Sequence, residues 1–405
     1  MSPPLPRLSA AQAAHRLGIT SATLYAYVSR GLLSRERTST GSTFDPLEIE
    51  AFAGRRSRRS GARPDPSAQA GTPLMVLDTD VAVVLDDELF FRGRSATRLA
   101  EASDLESVAA WLWEVEPDAP RTPLHSDVPA LRRVVAALPP QATLLDRLQA
   151  AVTTLAASDP LRGDTSADGL RRVGMRLLTH LPHALSTRTD AAAGDVSETL
   201  WTALSTRAAD ADDLRVLRTA LVLGIDHDLA VSTLAARVAA SARASGYAIV
   251  SAALGAFDSP LHGTAGLGAV DLLARVIEGD DTDVALATVV RDRGGGVPGF
   301  GQPLYSGTDA RAAALRPMIE RMRKSDPVIA AWDAVADTVW RRTGARPNID
   351  LAIAALVLAG GFRRDAGPVV FAIARIVGWI AHALREYEER PLRLRPRGRY
   401  VGPQP

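Results

Sequence analysis

The segment VPGFGQPLYSGTDAR, residues 297–311, places a glycine-rich loop directly before an amide, a phenol, a carboxylate and an arginine. Two further segments combine glycine or proline with polar side chains in the same way: SPLHGTAGLGAV at residues 259–270 and PNIDL at residues 347–351. A loop rich in glycine leaves its backbone N–H groups free for a ligand. These three segments are therefore the candidate parts of a binding site.

The remainder of the chain favours helices. It is rich in alanine, leucine and arginine, which are strong helix formers, and only 5% of its residues are aromatic. The leucines of DADDLRVLRTALVLG, residues 210–224, recur three or four positions apart, as on one face of a helix. A β-hairpin is predicted over residues 75–91, with its turn at Asp86-Asp87, and a second hairpin turn over residues 38–43. The 405-residue chain is thus predicted to be mainly α, in two or three domains.

Charge is distributed unevenly along the chain. Residues 1–63 carry ten arginines against four acidic residues, a net charge of +6, whereas the whole chain carries only +1. A basic head on a mildly acidic body indicates an anionic partner for the head only. Residues 55–71, which contain RRSRRSGARPDPSAQAG, have no apolar periodicity and are predicted to form a basic, flexible linker.

Several classes of protein are excluded by composition. The chain has no cysteine, which excludes disulfides, thiolate metal sites and a cysteine nucleophile, and which fits a cytoplasmic protein. No spacing of His, Asp and Glu is typical of a metal site, so no metal is expected. The apolar residues 368–384 contain Arg375 and His382, and we interpret them as a buried helix and not as a membrane span.

The first 54 residues predict a small helical domain. Ser9 and Ser21 are favourable N-caps for two short helices, and a glycine follows each helix. Residues 32–45 are expected to form a small β wing. Asp45-Pro46 then supplies the N-cap and the first-turn proline of a third helix.

The series LSAAQAAHRLGITSATLYAYVSRGLL, residues 8–33, resembles the MerR or excisionase type of winged helix-turn-helix domain. This resemblance implies DNA binding, with the second helix in a major groove and the wing at the backbone. It implies groove contacts from Ser21, Thr23, Tyr25 and Tyr27 and phosphate contacts from Arg30, Arg35 and Arg37. Since core and groove positions alternate, Leu24 or Tyr25 must pack inside. The alternative is a dimerisation or docking module with the same caps.

The body resembles the citrate synthase family. The three segments at residues 259–270, 297–311 and 347–351 are similar, in order, to its Pro-Leu-His-Gly loop, its Pro-Gly-Phe-Gly-His loop ending in Asp-Pro-Arg, and its Asn-x-Asp segment. The resemblance extends over about residues 72–405. It implies a two-lobed helical homodimer with no permanently bound cofactor, in which acetyl-CoA is a co-substrate. Residues 72–263 and 362–405 would form the large subdomain, and residues 264–361 the small one.

The chemistry of that family explains the residue types. Joining an acyl-CoA to a 2-keto acid needs a carboxylate base and a donor that stabilises the enol oxygen. By resemblance, Asp350 is the base, His262 is the donor to the thioester, and Gln302 faces the ketone. Arginine recognises carboxylates in a planar, charged manner. The resemblance assigns the keto acid to His227, Arg311, Arg375 and Arg395, the last from a neighbouring subunit, and part of the coenzyme site to Val297, Pro298, Gly299, Phe300 and Gly301.

Simpler interpretations exist for single residues. Asp350 could cap the helix that follows it, since aspartate is favoured at such positions. His227, between Asp226 and Asp228, could belong to a charge cluster on the surface. Arg375 is hard to explain in an apolar helix without a partner. As an ordered set over one body, however, these residues favour the family interpretation.

Gln302 is the main departure from the family, which has a histidine at this position. A glutamine amide can donate a hydrogen bond, but it does not titrate and cannot pass on a proton. Further differences from the family's residues are Gly224, Gly266, Ser306 and Ala310. Two functional classes therefore remain: a condensing acyltransferase, and a catalytically weak or inactive metabolite sensor that regulates transcription through the DNA-binding head.

Overall fold

The computed structural model describes residues 5–39, 41–59, 76–115, 127–186, 194–293, 295–302 and 304–403. In these ranges the chain forms six short strands and a series of helices that dominate the fold. The strands are β1 Leu8–Ser9, β2 Glu36–Thr38, β3 Gly41–Phe44, β4 Ala82–Leu85, β5 Glu88–Phe91 and β6 Arg94–Ser95. The helices are α1 Ala10–Arg16, α2 Ser21–Ser29, α3 Pro46–Arg59, α4 Ala96–Ala102, α5 Leu105–Leu112, α6 Val128–Ala136, α7 Leu144–Ser158, α8 Ala167–Leu185, α9 Val196–Leu204, α10 Ala211–Leu223, α11 Val231–Ser241, α12 Gly246–Phe257, α13 Leu267–Ile277, α14 Thr282–Arg293, α15 Ala310–Ile319, α16 Asp326–Thr343, α17 Ile349–Ala359 and α18 Ala366–Glu388.

Helix α18 lies at the centre of the body. Its apolar residues face neighbours on several sides, and it packs against α8, α10, α11 and α12. By length and composition alone it could cross a membrane, but 94% of its most apolar stretch is buried inside the protein. The interpretation of residues 368–384 as a buried helix is therefore confirmed. The buried Trp113 side chain donates from Nε1 to the carbonyl of Val377 at 2.9 Å and so anchors α18 to the end of α5.

A second group of helices packs beside this centre. Helix α13 contacts α14, α16 and α17, and α15 contacts α17. All of these helices bury leucine, isoleucine, valine or alanine in one continuous hydrophobic core with the α18 group. The prediction of a mainly helical body is confirmed, and the predicted helix in residues 210–224 is α10, capped by Asp210.

The predicted hairpin in residues 75–91 is present in the described part of that range. Strands β4 and β5 are antiparallel, with Leu85 opposite Glu88, and β6 pairs with the other edge of β5. Asp86 and Asp87 occupy the turn with φ of 49° and 64°, the left-handed conformation that a two-residue hairpin turn requires. Asp87 accepts hydrogen bonds from the Ser306 hydroxyl, so the turn contacts the loop that follows the glycine-rich segment.

The head has a small core of its own. Strands β1, β3 and β2 form an antiparallel sheet in that order, and Leu24, Phe44 and Ile49 are fully buried between the sheet and the helices. Helix α2 begins at Ser21 itself, because Thr20 and not Ser21 is the N-cap that accepts from the Thr23 amide. The predicted cap at Ser21 is therefore wrong by one residue.

The third helix differs most from the prediction. Helix α3 begins at Pro46, as expected, but it continues to Arg59 and so includes the first arginines that were assigned to the linker. The remaining linker, from residue 60, lies outside the described residues. Helix α3 packs against α14 and α16 of the body. The head is therefore docked on the second group of helices.

Gly378 on α18 tests how closely the central helix is packed. A Cβ atom at this position would lie 2.3 Å from the carbonyl oxygen of Ile225. We expect Gly378→Ala to lower the free energy of unfolding by about 1–3 kcal/mol, the usual cost of overpacking. Gly255→Ala, in open space on α12, is the matched control and should be neutral or stabilising by about 0.5–1 kcal/mol. Urea denaturation of both variants measures the difference, and equal stabilities would contradict the close approach.

Candidate active site

His262 lies in the turn that follows α12, and its imidazole is held from behind. The Ser232 hydroxyl is 2.7 Å from His262 Nε2, and Trp379 Nε1 donates to the same hydroxyl at 3.2 Å. When the serine hydroxyl donates to Nε2, the imidazole proton resides on Nδ1. Burial, helped by the charge of Arg375, lowers the pKa of His262 to about 4. The imidazole is thus neutral near pH 7 and can donate through one ring nitrogen.

The residue after His262 must be glycine. A Cβ atom at Gly263 would lie 2.3 Å from the ring of Phe257. The same phenylalanine packs edge-on against the His262 imidazole, with ring centroids 5.2 Å apart. The close approach of the Gly263 backbone therefore seats the histidine against a buried aromatic ring.

Asp350 lies in the first turn of α17. Asn348 is the N-cap of this helix, and its side chain accepts from the Asp350 amide at 2.9 Å. The interpretation of Asp350 as a helix cap is therefore wrong, because Asn348 has that role. It lines a small cavity together with Gly263 and Gly266, and a Cβ atom at Gly266 would be 3.4 Å from Asp350 Oδ1. The carboxylate thus lies beside the turn that carries His262.

Burial raises the pKa of Asp350 to about 6, although the charges of Arg311 and Arg375 act in the opposite direction. A carboxylic acid with this pKa is largely ionised at neutral pH and remains a better proton acceptor than an ordinary aspartate. Such a shift in a cleft is typical of residues that take part in chemistry.

The glycine-rich loop is bonded to the segment that leads into α17. The Asn348 amide donates to the Gly299 carbonyl at 2.9 Å, and Asn348 Nδ2 donates to the Gly301 carbonyl at 2.7 Å. Gly299 and Gly301 have φ of 83° and 73°, which favours glycine at both positions. Gln302, at the end of this loop, lines a cavity of about 390 Å³ with Arg346 and Trp340.

Arg311 is almost completely buried and is held by one carboxylate. Asp309 accepts from Arg311 Nε at 3.0 Å and from Nη2 at 2.8 Å. The same carboxylate accepts from the Ile349 amide at 3.0 Å. Asp309 therefore connects the arginine to the first residue of the helix that carries Asp350.

Arg375 has a buried partner of its own. Its Nη1 atom is 3.4 Å from Asp226 Oδ1, and His382 Nε2 is 2.7 Å from Asp226 Oδ2. Although burial alone would raise it, the interaction with His382 and the charge of Arg375 hold the pKa of Asp226 below its ordinary value. Within the described residues, Arg375 Nε has no hydrogen-bond partner although it is buried. A buried guanidinium N–H without an acceptor is available for an anionic ligand.

His227 is not part of a charge cluster on the surface, because the neighbouring Asp226 is fully buried. Its Nε2 atom is 3.1 Å from the Tyr305 hydroxyl, and the two rings stack with centroids 5.5 Å apart. Burial, together with Arg311 and Arg375, lowers the pKa of His227 well below its ordinary value, so the ring is neutral.

The structure brings together five of the residues predicted for catalysis and keto-acid binding: His227, His262, Arg311, Asp350 and Arg375. Gln302 lines a different cavity from Asp350. The charge of Arg375 acts on His262, His227 and Asp350 alike, and that of Arg311 acts on the last two. Arg395 is different: it lies in the exposed tail after α18, which is joined to α11 through the Leu392 amide and the Ser241 carbonyl. Sequence reasoning assigned no role in the site to Ser232, Trp379, Asp226, Asp309 or Tyr305. A polar residue next to a candidate histidine or arginine was the available signal for Asp226 and Asp309.

The residues proposed for DNA contact divide by exposure. Ser21, Tyr25, Arg30, Arg35 and Arg37 are exposed, whereas Thr23 and Tyr27 are half-buried. Leu24 is the residue of the second helix that packs inside, and Tyr27 contacts Phe52 with ring centroids 5.0 Å apart. The Arg35 guanidinium lies 5.6 Å from the centre of the Tyr25 ring, so these two form an exposed pair.

The fold and these segments agree with a family comparison. The citrate synthase C-terminal domain family matches residues 71–397 of this chain. The chain therefore belongs to the citrate synthase family.

Individual relatives extend this similarity over most of the body. The chain is 27% identical to a 2-methylcitrate synthase of Corynebacterium glutamicum over 78% of its own length and 89% of the relative. It is 24% identical to citrate synthase 2 of Bacillus subtilis over 80% and 93% of the two chains. Citrate synthase of Thermoplasma acidophilum, solved as a ternary complex with carboxymethyl coenzyme A and oxaloacetate, has the same fold, with a TM-score of 0.67 at 22% identity over 84% of this chain and 97% of that chain.

The raised pKa of Asp350 predicts a cost in stability. Since the folded pKa of about 6 lies above the ordinary value of 3.8, the unfolded state loses its proton first as the pH rises, and stability falls between about pH 4 and pH 6. Asp350→Asn should remove this fall and be more stable than wild type by about 1–3 kcal/mol above pH 7, and equal to it near pH 4.

Urea denaturation of both proteins between pH 4 and pH 8 measures this difference. Asp212→Asn, which changes an exposed carboxylate on α10, is the control and should differ from wild type by a constant amount. A constant difference for Asp350→Asn as well would contradict the raised pKa.

Proposed function

We propose that this protein condenses an acyl-CoA, acetyl-CoA or a short homologue, with oxaloacetate or a related 2-keto acid. One observation carries the proposal: the neutral imidazole of His262 belongs to a turn that borders the carboxyl group of Asp350, whose pKa is about 6, and two buried arginines act on this site. The relatives named citrate synthase and 2-methylcitrate synthase support the same reaction class.

The first step would be enolisation of the acyl group. Asp350 takes a proton from the carbon next to the thioester carbonyl, and His262 Nδ1–H donates to the thioester oxygen as negative charge develops there. A base whose pKa lies near the operating pH and a fixed donor in a water-poor site are the arrangement that favours this step. Because His262 is a neutral imidazole, it stabilises the negative charge that develops on the thioester oxygen through a hydrogen bond and not through a full positive charge.

The second step would form the new carbon–carbon bond. The enol carbon attacks the ketone carbon of the keto acid, whose carboxylates bind Arg311, Arg375 and Arg395, with the last supplied by the neighbouring subunit of a homodimer. His227 is proposed to contact the same keto acid. Water then hydrolyses the thioester, so that the products are a tricarboxylic acid, free coenzyme A and one proton. The coenzyme is proposed to bind along residues 297–301, with backbone N–H groups as donors.

Gln302 leaves the site without a general acid at the ketone. Its amide can polarise the ketone oxygen through a hydrogen bond, but it cannot protonate the alkoxide that forms. Loss of general acid assistance typically lowers a rate by about 10²–10⁴. We therefore propose a slow condensing enzyme in which solvent supplies the final proton.

Release of free coenzyme A tests the proposed reaction. We expect turnover with acetyl-CoA or propionyl-CoA and oxaloacetate. Asp350→Ala should lower the turnover number about 10³-fold, because the base is lost. Gln302→His restores a titratable group and should raise the turnover number. Asp212→Asn, on an exposed part of α10, should have wild-type activity. Turnover that survives in Asp350→Ala would contradict the assigned base.

A second candidate is a regulator that binds the same metabolites and acts through its head. The exposed arginines 30, 35 and 37, with Tyr25 beside Arg35, favour this candidate, as does Gln302 in place of a titrating residue. Wild-type protein that binds acyl-CoA and keto acid tightly without any turnover would favour the regulator over the enzyme.

DNA binding by the head has its own test. Binding to the protein's own upstream DNA should weaken as salt rises, and Arg35→Ala and Arg37→Ala should each reduce the salt slope by about 1, the effect of losing one phosphate contact. Arg133→Ala removes an exposed arginine of the body and should leave the slope unchanged. An affinity that does not depend on salt in fluorescence anisotropy would exclude this role.

A further inference from the structure

Helix α3 belongs to two hydrophobic cores at once. Ile49 is fully buried in the core of the head, with Leu24 and Phe44. Leu47, two positions earlier, is fully buried in the core of the body. Residues two apart on a helix point to nearly opposite sides, so the two faces of α3 serve the two parts of the chain. The head is therefore packed against the body through a shared helix.

A group of three charged residues reinforces this contact. Arg342, near the end of α16, is 2.5 Å from Asp45 Oδ2 through Nη2 and 2.5 Å from Asp283 Oδ1 through Nη1. Asp45 is the residue before α3, and its other oxygen accepts from the Leu47 amide at 2.9 Å. One guanidinium thus joins the start of α3 to both α14 and α16. The side chains of Asp45 and Arg342 are only 22% and 27% exposed, which limits screening of the pair by water.

Helix α14 leads directly into the proposed coenzyme loop, and α16 leads into the segment that is hydrogen-bonded to that loop. Helix α14 ends at Arg293, just before the loop at residues 295–301. Helix α16 ends at Thr343, just before the segment at residues 346–348 that is hydrogen-bonded to that loop. A change in the spacing of the two helices would therefore move the two points at which the loop is held.

Arg16 of the head touches the loop itself. Both oxygens of Glu50 hold the Arg16 guanidinium, which fixes it at the edge of α3. A Cβ atom at Gly295 would be 3.0 Å from Arg16 Nη1, so the guanidinium lies against the backbone at the start of the loop. This contact is independent of the Asp45–Arg342–Asp283 group.

We propose that the docked head holds the proposed coenzyme loop, residues 295–301, in position. Asp45, with Arg342, is then a positioning residue for this loop. The inference rests on the proposed function of this loop in binding coenzyme A. If coenzyme A binds more tightly when the head is docked, then by linkage bound coenzyme A must also stabilise the docking of the head. The head and the site are then coupled although no head residue takes part in the chemistry.

Calorimetric titration of the full chain with coenzyme A tests this proposal. Asp45→Asn keeps a good helix cap but removes the charge that faces Arg342. We expect Asp45→Asn and Arg342→Gln each to weaken coenzyme A binding by about 3- to 10-fold. The double variant should be no weaker than Arg342→Gln, because that change alone removes the contacts of the guanidinium with both Asp45 and Asp283. The KM for the keto acid should stay within a factor of about 2, since its proposed partners lie outside this group.

Glu48→Gln is the matched control. Glu48 also lies in the first turn of α3, but its carboxylate accepts from Ser34 within the head. This variant should bind coenzyme A as wild type does. If Asp45→Asn and Arg342→Gln lower the thermal midpoint but bind coenzyme A normally, the contact is structural only and the proposal is overturned.

Amide hydrogen exchange supplies a second measurement on the wild-type protein. Coenzyme A should slow exchange in α1 and α3 as well as in residues 295–301. Protection confined to the loop would overturn the coupling while leaving coenzyme binding intact. A wild-type protein that does not bind coenzyme A at all would instead overturn the proposed function, so the two failures are distinct.

Discussion

The ion pair between Arg375 and Asp226 is the constraint on which the site depends. A guanidinium in the central helix cannot remain buried without a compensating charge. Asp226 provides that charge, and its second oxygen meets His382 on the same helix at 2.7 Å. The pair therefore fixes α18 relative to the segment that carries His227. Its positive end also sets the electrostatics of the cleft, because Arg375 helps to keep the neighbouring histidines neutral and lowers the pKa of Asp350 from the value that burial alone would give.

Around this pair, hydrogen bonds between neighbouring segments position the side chains of the site. Asp309 joins Arg311 to the start of α17, and Asn348 joins the glycine-rich loop to the same point. Ser232 and Trp379 orient His262 from behind. Each connection links segments that are far apart in the chain. The chemistry of the site is thus a consequence of how the helices pack, and the docked head, which rests on α14 and α16, belongs to the same packing.

Local elements of the head and the hairpin followed from the sequence, because caps and turns act within a few residues. Pro46 opens α3 after Asp45, and Asp86-Asp87 forms the turn between β4 and β5 as predicted. The end of α3 did not follow: its arginines resemble a solvated linker, yet the helix continues through them to Arg59. Nor did the docking of the head, since Leu47 looks like any apolar residue of a short amphipathic helix.

The sequence by itself determined the helical class, the membership of the body in its family and the candidate residues, because helix propensity, apolar spacing and ordered motifs are properties of short segments. Only the tertiary structure decided which of these residues share a cleft, that Ser232 contacts Nε2 of His262, and that Asp350 has a pKa near 6. The physical reason is that burial and electrostatic fields come from neighbours in space. Ser232, His262 and Trp379 form one hydrogen-bonded unit across about a third of the chain, and no local pattern records that they meet.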